Sequence, residues 1–573
     1  MAELNFTHLH VHSDYSLLDG AARVDKLVER VKAQGGKAVA VTDHGNLFAA
    51  VNFYQTARKA GIKPIIGCEV YIAPGDRREK DAKGMKEASH HLLLLAENLT
   101  GYKNLLRLTS RAYREGFYYK PRVDRELLLE HHEGLICTST CLGGEIPQAL
   151  LRERRKDAEE IAEFYLKLFG EERFFIELQD HGLEEQRLIN PELADLARKL
   201  GVGTVVTNDV HYLEHEDREA HEVLCCISTG SKLDDPDRFR FETDQFYLKT
   251  PQEMYDLFRA YPEALANTNR IADMCNVELP LGERHAPVYQ VPGGKSADEY
   301  LRELVYERAV KKYPELTDEI RERIDYELSV IASKGFSSYF LIVWDFVNYA
   351  RSRGIPCGGR GSACSTVVGY CLDLSAPDPL RYELYFERFM DPDRDEMPDI
   401  DMDICQNGRE EVIEYVRQKY GHVAQIITFG TLKARAVVKD VGRVLGLGFD
   451  DTNAITKLIP EELKMTIDKA MAQEPELKRL YNENEQIRRV IDISRRLEGL
   501  ARHTGIHAAA VVICDEPLDN FVPLYQPGKS KELLTQFDGP GVEACGLLKM
   551  DFLGLRTLTV IERARQLAER NYG

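Results

Sequence analysis

The chain has 573 residues, too many for one hydrophobic core, so two to four domains are expected. Its 43% hydrophobic and 29% charged residues are those of a soluble globular protein, and no stretch nears the roughly 20 apolar residues of a membrane span. A net charge of -19 excludes a generic nucleic-acid coat, but not an enzyme that meets nucleic acid along a local basic track. The N-terminus has no basic region followed by an apolar core, and the cysteines form no CxxC pair. Both features predict a cytoplasmic protein with reduced thiols, no secretory signal and no membrane partner.

In chain order, residues 6–12 read as a strand with His8, His10 and His12 on one face, followed by Asp14 and Asp19 in a turn. A helix is predicted over 24–34 and a buried strand over 37–42, with Asp43-His44-Gly45 at its C-terminal end. A helix over about 49–59 and a strand over 65–69 repeat the cycle, and later strand-like runs end near His91, Cys141 and Asp209-Val-His211. Strands alternating with helices predict an α/β barrel or wound sheet, whose site forms at the strand C-termini. Any one histidine is ordinarily a packed residue. Imidazole, carboxylate and thiolate recurring at strand ends point instead to Zn²⁺, Mn²⁺ or Fe. Several such metals side by side suit hydrolysis of a phosphoester.

His10-Val-His12, Thr42-Asp-His-Gly45 and Asp209-Val-His211 resemble the motifs of the PHP (polymerase and histidinol phosphatase) family. The resemblance implies a distorted (β/α) barrel over residues 1–270. Carried over position by position, it implies a metal site of His10, His12, Asp19, His44, Glu69, His91, Cys141, Asp209 and His211 for up to three Zn²⁺, Mn²⁺ or Fe ions. It further implies a metal-dependent 3′–5′ exonuclease, or metals that only brace the barrel.

From about 230 to 290 the text is polar and irregular, with helices over 251–258 and 262–275, and the domain boundary is expected near 270. Helices follow over 297–312, 317–333 and 335–350, the last apolar and holding the only tryptophan, Trp344. Residues 356–370 combine a glycine-rich turn with an apolar helix starting near Ser362. Gly358, Gly359 and Gly361 let the backbone approach a ligand, the helix N-terminus offers N–H groups to phosphate, and Arg360 adds a charged fork. A tight packing turn explains the same glycines.

Asp399, Asp401 and Asp403 alternate with Ile400, Met402 and Ile404, the period of a strand over 398–404 with its carboxylates on one face. Such crowding raises each pKa unless a hard cation such as Mg²⁺ neutralises it, and an exposed acidic edge strand is the plain alternative. Residues 431–510 read as a helical insertion. There Arg435, Lys439 and Arg443 share one face at i, i+4, i+8 spacing, ordinarily a solvated face. His503 and His507 precede an apolar strand over 508–513 and carry no assigned role.

Gly359-Arg-Gly-Ser362, Phe386-Glu-Arg-Phe389, Asp401-Met-Asp403 and Lys549-Met-Asp551 follow the PHP motifs in that order. Together they resemble the bacterial DNA polymerase III alpha family, the C-family replicative DNA polymerases. The resemblance implies a multidomain α/β and α+β chain: the PHP barrel, a polymerase-beta-like palm over 271–430 and 511–573, and a helical thumb insertion over 431–510. It implies a DNA-directed DNA polymerase with two Mg²⁺ on Asp401, Asp403 and Asp551, and Asp399 in support. Arg360, Gly361, Ser362, Arg388 and Lys549 would meet the triphosphate, and Arg435, Lys439 and Arg443 the phosphates of duplex DNA. One Mg²⁺ would lower the pKa of the primer 3′-OH while both stabilise charge at the α-phosphate. The implied partners are primer-template DNA and dNTPs and, in the full-length protein, a sliding clamp, a clamp loader and a proofreading subunit. Because the chain stops at Gly573, soon after Asp551, the expectation is a piece that ends before the fingers and polymerises poorly alone. The rival readings are an error-prone paralogue of the alpha subunit and a PHP-type phosphoesterase, which would account only for residues 1 to about 270.

Overall fold

The computed structural model describes residues 4–285, 287–394, 400–528 and 532–572. Its contacts divide the chain into a first unit of Met1–Leu279, Thr428–Gly505 and Pro523–Ser530, and a second of Pro280–Ile427, Ile506–Val522 and Lys531–Gly573.

The first unit is built on strands β1 (Ala38–Val41), β2 (Lys63–Ile72), β3 (His90–Ala96), β4 (Arg122–Val123), β5 (Leu135–Thr138), β6 (Phe174–Leu178) and β7 (Gly203–Val206). They pair in the order β1-β2-β3-β5-β6-β7, with β4 also on β2. β1, β5 and β6 are buried at every position, the apolar run expected when both faces of a sheet are covered. The covering helices are amphipathic; Val24–Ala33 buries Val24, Leu27, Val28 and Val31 at helical spacing. β3 alone runs antiparallel to its neighbours, β2 and β5, in an otherwise parallel sheet. Residues 6–12 close the sheet into a barrel. On one side Ala40 N–H and Thr42 N–H donate to the carbonyls of His8 and Val11, and on the other His12 N–H and Val210 N–H donate to those of Val210 and His10. That segment is extended but forms one ladder bridge, Val11 to Val210, rather than the continuous strand predicted.

The helices Ala434–Val444, Phe449–Lys457, Ile467–Gln473, Pro475–Glu483 and Glu485–Leu497 do not form a body of their own, as the reading of 431–510 as a separate domain expected. Val437, Val438, Val441, Val490 and Ile491 share one core with Ala220, Val223, Leu224 and Ile227 of helix Arg218–Thr229. The reason is hydrophobic: each set supplies the apolar surface that the other needs to leave water.

The second unit carries β8 (Cys357–Gly359), β9 (Met402–Cys405), β13 (Leu534–Thr535), β14 (Leu548–Leu555) and the larger parts of β10 (His422–Thr431) and β11 (Ala501–Cys514); residues 428–431 and 501–505 of the last two, and β12 (Leu524–Tyr525), fall in the first. The sheet order is β13-β10-β11-β14-β9-β8. β14 runs antiparallel to β11 and parallel to β9, while β8 and β9 are antiparallel. Helices Ala297–Lys312, Asp318–Ser333 and Ser337–Ser352 enclose the core, and the last buries Tyr339, Phe340, Leu341, Ile342, Val343, Phe346 and Val347. Among the described residues no single helix is long and apolar enough to cross a membrane. β9 begins at Met402, so the strand predicted over 398–404 is shorter than expected, and Asp399 lies outside the described residues.

Past β2, Arg77 is 1% exposed and fixes the strand that carries Glu69. Its Nη1 lies 2.9 Å from Asp124 Oδ2 and 2.9 Å from Glu126, and its Nε donates to Glu115 at 2.9 Å. Asp124 also accepts from Leu127 N–H and so caps helix Arg125–Glu130. Arg77→Met leaves the buried Asp124 carboxylate without its cation and is expected to cost about 3–5 kcal/mol. Glu115→Gln, at a half-buried partner, should cost less; denaturant unfolding of the two variants measures the order.

Candidate functional site

The parallel strands of the barrel end at one rim, and antiparallel β3 begins there, with His91 opposite Tyr71 of β2. His44 follows β1, Glu69 lies in β2, Cys141 follows β5, and Asp209 and His211 follow β7. The closing segment adds His10 and His12, and the turn behind it adds Asp19. The structure therefore gathers all nine residues singled out in the sequence at one place.

Glu69 is the hub. Its Oε1 lies 3.3 Å from His10 Nε2, 3.1 Å from His91 Nδ1 and 3.4 Å from Cys141 Sγ; its Oε2 lies 2.8 Å from His44 Nδ1 and 3.7 Å from His12 Nε2. Asp209 Oδ1 stands 3.2 and 3.1 Å from Nε2 of His10 and His12 and 3.7 Å from His211 Nδ1. Asp19 Oδ1 is 3.5 Å from His44 Nε2. The His12 ring centroid sits 3.9 Å from that of His44 and 4.4 Å from that of His211. Cys137, in β5 itself, turns its thiol to the Thr138 carbonyl. His8 departs from the expectation of three histidines on one face: its Nε2 takes the Lys249 carbonyl at 2.9 Å, because the broken ladder of residues 6–12 does not hold a period of two that far.

The ring orientations are set from behind. His10 Nδ1 meets Glu177 Oε1 at 2.8 Å, and Glu177 also accepts from Gln179 and from the hydroxyls of Thr138 and Thr207. His12 Nδ1 meets Ser16 Oγ at 3.1 Å, and that hydroxyl donates to Asp43. Such contacts decide which ring nitrogen faces the centre. Sequence reading missed Glu177 and Ser16; the available signal was a lone carboxylate inside the apolar run Phe174–Leu178.

Nε2 of His10 and His12, Nδ1 of His44, Oδ1 of Asp19 and Asp209, and Oε2 of Glu69 are buried without a hydrogen-bond partner. Burial, with His44 and His211 close by, pushes His12 down to about 3 and keeps it neutral. Against the effect of burial, Asp209, Glu177 and Glu69 hold His10 protonated well above its ordinary range, and Asp19 and Glu69 raise His44 to about 10. Three triads of ligand atoms, from His12, His44 and His211, from His10, His12 and Glu69, and from His44, Glu69 and His91, each fit within 4.8 Å. Buried nitrogen and oxygen atoms of this kind, with the half-buried Cys141 thiol beside them, fit Zn²⁺, Mn²⁺ or Fe. Asp209 has φ +43°, a left-handed backbone rarely held by a residue with a side chain. Gly143 lets the chain pass His91, since a Cβ there would lie 3.0 Å from the ring.

A second group of carboxylates lies in the other sheet. Phe552 pairs with Met402 and Leu553 with Asp403 on parallel strands, so Asp551 of β14 stands beside Asp401, the residue just before β9, on the side that Asp403 faces. Ile400, Met402 and Ile404 fill the opposite, buried face. Arg360 Nε lies 3.1 Å from Asp403 Oδ1, and Lys549 Nζ 3.1 Å from Asp551 Oδ2, while Asp551 Oδ1 is buried without a hydrogen bond. Burial and Asp401 raise the Asp403 carboxyl against the pull of Arg360. Arg360, Asp403, Arg409 and Leu553 line a cleft of about 670 Å³.

The glycine-rich turn differs from its prediction. A 3-10 turn, Gly361–Ser365, leaves Gly361 and Ser362 exposed with Gly361 at φ +64°, and the helix starts only at Val367. The N-terminus of that helix already holds an anion. Fully buried Glu327 accepts from Val367 N–H and Val368 N–H at 3.0 Å each and from Thr366 Oγ1 at 2.7 Å. Arg323 pairs with Glu327 at 2.7 Å and donates to the carbonyls of Ser365 and Leu384, tying the Gly361–Ser365 turn to the Phe386–Arg388 turn. Arg388 is exposed on that second turn, outside the residues that line the 670 Å³ cleft. On helix Ala434–Val444, Arg435 pairs with Glu461, and Arg443 donates to the carbonyls of Gly230 and Ser231 at 3.2 and 3.3 Å. Two of the three residues expected on DNA are thus engaged within the protein, and Lys439 is the exposed one.

Residues 8–181 match the PHP domain family, and residues 299–554 match the family described as the bacterial DNA polymerase III alpha NTPase domain. All of the chain aligns at 49% identity with the DNA polymerase III subunit alpha of Treponema pallidum (strain Nichols), covering 49% of that protein. The corresponding subunit of Borreliella burgdorferi is 47% identical over 98% of the chain and 49% of its own length, and that of Thermus aquaticus 44% identical over 100% and 52%. The chain spans about half the length of the curated relatives it matches.

Glu327→Ala strands two helix N–H groups, a hydroxyl and Arg323 in the interior, and is expected to destabilise the second unit by about 3–5 kcal/mol. Glu327→Gln keeps an acceptor and should cost less. Hydrogen exchange over 361–369, faster in the Ala variant than in the Gln variant, measures how far the brace governs the turn.

Proposed function

We infer the function of this chain as that of a family member: it belongs to the bacterial DNA polymerase III alpha family. The reading is a DNA-directed DNA polymerase that adds deoxynucleotides to a primer 3′-OH. The observation that carries it is the register that sets Asp401, Asp403 and Asp551 on one face of two parallel strands, with Arg360 and Lys549 beside them. In this reading the second unit is the palm, the helices of 431–510 are the thumb, and residues 1–270 are the PHP domain. Asp401, Asp403 and Asp551 would hold two Mg²⁺, which when bound polarise the 3′-OH and stabilise charge at the α-phosphate.

The chain's own residues do the rest. Arg360 and Lys549 exchange their carboxylate partners for the triphosphate, steadying the pyrophosphate as its bond to the α-phosphorus breaks and the new bond to the 3′-oxygen forms. Gly361 and Ser362 offer exposed backbone beside it, Arg388 a further cation, and Lys439 a contact to duplex phosphate. Primer-template DNA and dNTPs are the proposed substrates, the cytoplasm the proposed place, and a sliding clamp, a clamp loader and a proofreading subunit the proposed partners. Asp403→Asn is expected to lower Mg²⁺-dependent primer extension about 10²-fold or more. DNA affinity should stay within a few-fold, and undiminished extension would remove the assignment.

The gathering of nine ligand side chains with unpaired inward atoms favours a second activity at the PHP centre: hydrolysis of phosphodiesters from a 3′ end. Water adds to phosphorus, the bond to the leaving 3′-oxygen breaks, and that oxygen takes up a proton. Zn²⁺, Mn²⁺ or Fe, when bound, would activate the water and neutralise the phosphate. Asp209 and Glu69 hold the histidines in place, and Cys141 at the mouth adds a soft ligand. Protein purified anaerobically should carry one or more of these metals in stoichiometric amount, Glu69→Gln should lose most of it, and chelation should lower Tm by several degrees. Metal analysis that finds none in the unsubstituted protein would sink this second reading and leave the polymerase assignment untouched.

A further inference from the structure

Two clefts open onto the metal centre, one of about 450 Å³ and one of about 420 Å³, and both are lined by Asp19, His44, His91 and Phe239. The larger adds Lys120 and Arg152; the smaller adds Arg240 and Phe241. Each is the size of a small-ligand site, roughly 300–1,000 Å³. Phe239 is 42% exposed at the line where they meet. Its ring is braced rather than loose: Phe241 stands 5.8 Å behind it, edge to face, and packs in turn on Phe246 at 4.6 Å and His211 at 4.8 Å.

Charge is distributed unevenly along the same trench. Lys120 Nζ is held over the Tyr71 ring at 5.2 Å, and Tyr71 stacks at 6.1 Å on His44, so a cation sits at the edge of the centre. Arg152 and Arg240 are exposed on either side. In a chain of net charge -19, three cations and an exposed aromatic stand around the carboxylates and histidines of the rim. Cations spaced along a groove with an aromatic face between them suit single-stranded nucleic acid, whose bases are free to stack. Bases paired within a duplex are not free to stack on Phe239.

We propose that this trench is the track for the 3′-terminal single strand of a DNA substrate. The terminal base stacks on Phe239 above the aromatic floor of the smaller cleft, and Arg240 forks onto its phosphate. That phosphate is the scissile one and lies over His44 and His91, while Lys120 and Arg152 take the phosphates of the preceding nucleotides. The inference rests on the hydrolytic reading of the PHP centre, and its test separates the two.

Trp344 is the only tryptophan of the chain, so F239W adds one reporter at the site. In EDTA, titration with oligo-dT should quench the added fluorescence saturably. Adding Lys120→Glu and Arg152→Glu should weaken the affinity about 10-fold or more and flatten the log–log salt slope by about 1.4, near 0.7 for each lost phosphate contact. A blunt duplex should not quench. Oligo-dT binding, seen by anisotropy, that leaves the added indole unquenched overturns the track, as does equal quenching by duplex. Nucleotide release is scored separately with metal restored. Quenching without release keeps the track and removes hydrolysis, whereas release without quenching removes the track and keeps hydrolysis.

Discussion

One buried carboxylate, that of Glu69, is touched by His10, His12, His44, His91 and Cys141, side chains delivered by four other segments of the chain. Burial opposes its ionisation, yet His91, His10 and His44 hold it well below the usual carboxylate range. An ionised group at that depth is tolerable only while cations surround it. The barrel rim is therefore an electrostatic agreement as much as a packing arrangement. The polar contacts behind it, Glu177 on His10 and Ser16 on His12, keep the donors aimed at the centre.

The carboxylates of the other sheet meet the same constraint by a different route. Asp403 leans on Arg360 at the edge of an open cleft, and Asp551 on the part-buried Lys549, rather than on imidazoles locked in a core. Such cations can be handed to an arriving anion at small cost, because they are partly hydrated and flexible. The histidines of the barrel cannot leave. One site is built to hold its charge, the other to exchange it.

Much of this was legible in the chain itself. Polar side chains recur near the ends of buried strands, and Cys141 follows the apolar run Leu135–Thr138 in the same way, while the choice of the nine followed from the resemblance to the PHP family. What failed depended on distant partners. The glycines around Gly361 announced a turn, but nothing local says that Glu327 would occupy the helix N-terminus behind it. Arg443 has the spacing of a free basic stripe and spends its charge on the carbonyls of Gly230 and Ser231. His8 has the same alternation as its neighbours, and only the broken ladder separates it from them. In each case the local pattern gave the residue a direction, and tertiary contact chose its partner.

The core shared by helix Arg218–Thr229 and the helices between 434 and 497 bears on dissection of the molecule. That helix begins seven residues after His211, so the rim cluster and the interlocked core are nearly contiguous. A gene cut at residue 279 would retain every ligand of the centre yet turn Val223, Leu224 and Ile227 toward water. Such a product would be sticky and prone to self-association. A piece that keeps the rim cluster with this shared core covered is accordingly discontinuous, and needs linkers to join residues 1–279, 428–505 and 523–530.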